Sequence, residues 1–162
     1  MYTRPTMTEE FVPGLRYRTG AEELWALVVE SLGGWEARMN EAAAAAGVSP
    51  VSAWALIQID PDHAISQKEL AARLHCNPST VVDPTDRLEE RGLVTRRPNP
   101  SDRRVNILTV TAKGRQVRQR LLDRLFEPPE AFRRLPPADQ AKFRDAMLAA
   151  VGRSPSSAKA AR

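Results

Sequence analysis

SQKELAARLHCNPSTVVDPTDRLEERGLVTRRPNPSDRRVNILTVT, residues Ser66 to Thr111, is the stretch from which the fold can be read. Ser66 with Glu69 three residues on has the spacing of a capping box. Leu70, Ala71 and Leu74 then recur at helical intervals and give one apolar face. His75 and Cys76 fill a short turn. Asn77-Pro78 restarts the chain as an N-cap followed by a proline at the first helical position, where no N–H is needed. Val81, Thr85 and Leu88 lie along one stripe, and Gly92 follows as the residue past the helix end. Two helices joined by so short a turn are a helix-turn-helix candidate. Leu93-Val94-Thr95 and Val105 to Val110 are runs suited to strands. Between them RRPNPSDRR reads as a polar loop, so the pair forms a hairpin with a basic tip, a wing.

The compound pattern SQKELAARL, NPSTV, DRLEERGLV, DRR and the later LT and G resembles the MarR family of winged-helix transcriptional regulators. By motif it covers the central third of the chain. The resemblance implies a mainly α fold with a small β-hairpin wing, and a helical dimerisation lobe built from the first and last helices. It implies that Arg104 enters a DNA minor groove with Asp102 bracing it. It also implies a small aromatic or phenolic effector held between the lobes, for which Trp25, Trp35, Met39 and Trp54 are the candidate lining. A tryptophan on an apolar helix face also serves simply as core. Pro84 departs from the family, which carries an apolar helix former there. Counted from Pro78 it is interior, and an interior proline predicts a kink; a helix starting at Thr80 or later would place it near the first turn instead.

Of 162 residues, 42% are hydrophobic and 27% charged, which fits a globular domain or two small lobes sharing a core. No apolar run reaches membrane-spanning length, and the N-terminus has no apolar signal region. One cysteine allows no internal disulfide, which suits a reducing cytoplasm. From Arg87 to Arg124 there are 11 Lys/Arg against 4 Asp/Glu, a local charge of +7 in a chain of net +4. That excess falls on the wing and the helix after it, beside the recognition helix, and favours a polyanionic partner.

The expected divisions are an arm and dimerisation helix (1–48), the winged helix-turn-helix (49–111), C-terminal dimerisation helices (112–151) and a disordered tail (152–162). In the arm, Phe11, Val12, Leu15 and Tyr17 are candidates to dock on a partner. One long helix is expected from Thr19 to Gly47, carrying Leu24, Leu27, Val28, Leu32, Trp35 and Met39 in a stripe, with Gly33-Gly34 as its weak spot. Ser49-Pro50 opens a second helix with Val51, Trp54, Ala55 and Leu56 inward. His63 to Ile65 adds a short strand against the wing. Thr111 caps a helix with Val117, Leu121, Leu122, Leu125 and Phe126 on its apolar face. A last helix runs to about Val151, with Phe143, Met147, Ala150 and Val151 inward.

The candidate DNA contacts are Ser79 and Thr80 in the first turn of the recognition helix, and Arg96, Arg97, Asp102, Arg103 and Arg104 in the wing. The two hydroxyls suit phosphate or base-edge contact, or serve only as caps. Arg87 has Asp83 four residues before it, the spacing of a helical ion pair. Cys76 reads as a small apolar residue rather than a redox sensor. No spacing suggests a catalytic centre, a metal site or a cofactor site. The expected function is a ligand-responsive repressor, a homodimer on a pseudo-palindromic operator in double-stranded DNA. The alternative is an interaction adaptor that keeps the winged helix without DNA binding.

Overall fold

Residues 12–14 and 16–153 are described in the computed structural model, the Arg104 side chain excepted. Phe11, Leu15 and the tail beyond Arg153 therefore lie outside the described residues, while Val12 and Tyr17 are exposed. The elements in order are α1 (Gly20–Ser31), α2 (Trp35–Ala46), α3 (Pro50–Gln58), β1 (Ile65–Ser66), α4 (Gln67–Arg73), a 3-10 turn (Pro78–Val81), α5 (Val82–Glu90), β2 (Val94–Asn99), β3 (Asp102–Val110), α6 (Ala112–Leu125), α7 (Glu130–Arg133) and α8 (Pro137–Ala150). The chain divides into two compact units at Leu125/Phe126.

In the first unit the core gathers Met39, Ala42 and Ala43 of α2, Ala53, Leu56 and Ile57 of α3, Leu70 of α4, Leu88 of α5, Leu108 of β3, and Val117, Leu121 and Leu125 of α6. Helix α6, assigned from sequence to a C-terminal segment, packs here on α2 and α3. The single long first helix expected from sequence is instead two. Gly34 takes a left-handed φ of 84° and ends the continuity between α1 and α2, a conformation that costs glycine little. No residue of α1 is buried: Leu24, Leu27 and Leu32 of its stripe are all exposed. Helix α3 also differs. Val51 is exposed, and Ser52, Ala53, Ala55, Leu56 and Ile57 are the buried residues. In the second unit α8 buries Leu148, while Phe143 and Val151 stay exposed, contrary to expectation. Phe143 meets Phe132 edge-on at 5.8 Å between ring centres.

The helix-turn-helix forms as its caps predict. Ser66 and Glu69 make the full capping box at the start of α4. At its end His75 holds φ 53°, its N–H bonding the Ala72 carbonyl while the Cys76 N–H reaches Ala71. That is a Schellman closure with histidine where glycine is usual. Helix α5 ends the same way around Gly92 at φ 67°. Its start differs from the expected kink. The chain makes one 3-10 turn from Pro78 to Val81 and the α-helix proper begins at Val82. Pro84 is then the third α-helical residue, where an N–H has no intrahelical partner to lose. It is buried against α3, and its carbonyl accepts from the Ser52 hydroxyl.

The sheet has the order β1-β3-β2, all antiparallel. A short strand forms, shifted from the expected His63 to Ile65 onto Ile65 and Ser66, opposite Leu108 and Ile107. The wing strands are longer than the sequence suggested, and only Pro100-Ser101 separates them. Pro98 is tolerated because β2 is an edge strand.

Candidate nucleic-acid interface

Three elements present the candidate residues: the 3-10 turn, the outward side of α5 and the wing. Val81, Pro84, Thr85 and Leu88 face the core, which fixes the rotation of α5. Ser79 and Thr80 are exposed just ahead of it. Neither caps a helix: the N-cap positions are Asn77 for the 3-10 turn and Val81 for α5, and neither of those makes a side-chain capping bond.

Arg96 is placed differently from a DNA contact. It is partly buried, and its Nη2 donates to Asp86 Oδ1 at 2.5 Å and to Thr85 Oγ1 at 3.2 Å. Its backbone N–H donates to Glu89 Oε1, and its Nε lies 3.6 Å from Glu89 Oε2. Thr85 is fully buried. Its hydroxyl donates to the carbonyls of Val81 and Val82 and accepts from Gln67 Nε2 at 3.0 Å as well as from Arg96. One hydroxyl thus joins α4, the recognition helix and the wing. The sequence showed Thr85 only as part of a stripe, and Arg96 only as part of a charge cluster. The signal for their pairing is tertiary.

Beyond this brace the wing carries Arg97, Asp102 and Arg103 on its surface. Val94 pairs with Val110 and the register holds to Pro98 opposite Asn106, then shifts so that Asn99 opposes Asp102. Residues 103–105 therefore have no partner position on β2, and the Arg103-Arg104 backbone sits on a bulged part of β3. Bulges re-aim side chains and increase strand twist. Asn99 Oδ1 accepts from the Ser101 N–H and closes the tip.

Of the four candidate pocket residues, Trp35 and Trp54 meet edge-on at 6.3 Å and Met39 is buried in the same cluster. Trp25 stands apart on α1, 67% exposed. A cleft that sequence reasoning missed runs beside α5, lined by Ser49, Ser52, Arg87, Glu90 and Arg91, and includes none of the four.

The model of the MarR family matches residues 48–105, the span from the start of α3 into the wing. That span is similar to the winged helix of the MarR family. Over 68 residues the chain is 35% identical to the HTH-type transcriptional repressor MdtR of Bacillus subtilis (strain 168), 42% of this chain and 44% of that protein. The aligned part is thus less than half the length of that relative. Similarity of fold extends further. CouR from Rhodococcus jostii RHA1, solved bound to p-coumaroyl-CoA, is 27% identical with a TM-score of 0.61 over 82% of this chain and 94% of that one. A MarR-family transcriptional regulator from Rhodococcus sp. RHA1 is 25% identical with a TM-score of 0.63, over 82% and 96%. Among the described residues no helix is long and apolar enough to cross a membrane.

Proposed function

We propose that this chain is a sequence-specific DNA-binding transcriptional regulator, a homodimer acting as a ligand-responsive repressor on a pseudo-palindromic operator. The observation that carries the reading is the Arg96 brace. It ties the wing to the recognition helix through Asp86, Glu89 and Thr85. The two DNA-reading elements then move as one body, with Ser79 and Thr80 exposed on one and Arg97 and Arg103 on the other. In this reading α5 enters a major groove, and the wing lays Arg104, supported by Asp102, in the adjacent minor groove, where a narrow groove concentrates negative potential. Trp35, Trp54 and Met39 line the effector site, which takes a small aromatic or phenolic ligand. The relatives supply the precedent: one is named a repressor and another is solved with an aromatic thioester.

The experiment is a titration of duplex DNA at several salt concentrations with the wild-type and Arg104→Ala chains. Affinity for duplex falls with salt, with a log–log slope of roughly −0.9 per phosphate contact. Arg104→Ala weakens specific binding by about 1–3 kcal/mol while the protein stays folded. Absence of duplex binding at low salt would favour the adaptor reading.

A further inference from the structure

The outward side of the recognition helix carries an acid where a polyanion is to dock. With Val81, Pro84, Thr85 and Leu88 turned inward, Val82 and Asp83 look outward in the first α-helical turn. Val82 is 41% exposed and the Asp83 side chain 72%. Two other acids of this helix have a structural task, since Asp86 and Glu89 hold Arg96. Asp83 has no task of that kind. Its one bonding partner among the described residues is Arg87 on the same helix, whose Nε donates to both carboxylate oxygens at 3.0 Å. The first turn of a recognition helix is where base-reading side chains are projected.

We propose that Asp83 is a base-reading residue whose carboxylate, oriented by Arg87, accepts a hydrogen bond from the N4 amino group of a cytosine in the major groove. The inference rests on the DNA-binding reading above. In the major groove guanine presents N7 and O6 and thymine presents O4, all acceptors that repel a carboxylate. Adenine offers the N6 donor, but its N7 acceptor lies beside it and opposes the second carboxylate oxygen. Cytosine offers the N4 donor with only its C5–H edge beside it on the same base, so a carboxylate can approach from that side, away from the O6 of the paired guanine. The Arg87 guanidinium offsets the repulsion between the carboxylate and the phosphates on either side. Val82, apolar and one residue earlier, suits the 5-methyl edge of a thymine next to that cytosine.

A carboxylate in a first helical turn is also favourable to the helix, as is an acid four residues before an arginine. Those effects change stability and leave base preference untouched, so base preference is the readout. The full chain and its Asp83→Ala and Asp83→Asn variants are each used to select from a randomised duplex pool at one salt concentration, with circular dichroism as the check on folding. The wild type enriches cytosine at one position in each half-site. Asp83→Ala loses roughly tenfold to a hundredfold of that discrimination at that position alone. Asp83→Asn moves the preference to adenine, because a carboxamide pairs with both N6 and N7. An Asp83→Ala variant with unchanged preference at every position, or with uniformly tighter binding, overturns the assignment. A wild-type chain that enriches no sequence contradicts the DNA-binding reading and takes this one with it.

Discussion

A single absent methyl group sets how closely α6 approaches the base of the wing. A Cβ on Gly114 would lie 1.9 Å from the Leu93 carbonyl oxygen and 2.9 Å from Val110 Cγ1. Alanine is the better helix former by about 1 kcal/mol. Here that gain is outweighed, because the obstacle is backbone and relief requires α6 to move away from the sheet. Overpacking alone costs typically about 1–3 kcal/mol. Gly114→Ala is therefore expected to lower stability by about 1–2 kcal/mol net in urea unfolding; a neutral or stabilised variant would contradict the close approach. Gly114 was visible in the sequence as part of a pattern, without a reason, because the reason is a carbonyl brought in by the fold. Pro84 shows the same limit. The Asn77-Pro78 signal marks where the backbone turns helical, but it does not distinguish a 3-10 turn from an α-helix. That distinction moves Pro84 from an interior position to the first turn. The Arg96–Thr85–Gln67 linkage was equally hidden, since it joins residues from three elements.

At the level of elements, local chemistry was the most legible. The capping box of α4, the glycine closing α5 and the threonine ahead of α6 all appear where residue type and spacing put them. Each depends on neighbours within a few residues, so the sequence contains the whole cause. The capping box also carries a pH dependence. Hydrogen bonds from the Ser66 hydroxyl and backbone N–H hold the Glu69 carboxyl below the usual glutamate range. The folded chain therefore binds this proton less readily than the unfolded chain. The stabilisation is present above the ordinary glutamate pKa and is lost as pH falls through the lowered value. Ser66→Ala is expected to cost about 1 kcal/mol at neutral pH, and its gap from the wild type should narrow as the pH falls through the lowered Glu69 value. A gap that is constant with pH, measured by chemical denaturation, would mean the Ser66–Glu69 bond contributes nothing ionic. The wing was less legible. Its basic composition was plain, but strand length and the irregular register around Asn99 depend on pairing with β3, and sequence places Arg96 and Arg97 on equal terms. Pairing puts Arg97 on the surface and turns Arg96 onto the recognition helix.

At the scale of the molecule, α1 is the element a lone chain leaves unfinished. Leu24, Trp25 and Leu27 are exposed on this helix and Leu32 at its C-cap, and exposed apolar surface of that extent marks an interaction site. A second copy covering it is the occupant that the proposed function requires, and a two-fold dimer fixes the geometry on DNA. Two recognition helices related by that axis meet successive major grooves about one helical turn apart, ~34 Å, and each wing reaches outward to a minor groove. The central claim is that this chain reads duplex DNA as a symmetric pair of braced winged helices. The most direct test is a hydroxyl-radical footprint of the wild-type chain on a duplex recovered by selection. The account predicts two protected segments on each strand, related by a two-fold axis and centred roughly 10 base pairs apart. A single protected segment without symmetry, or no protection at concentrations where the chain is folded, would contradict it.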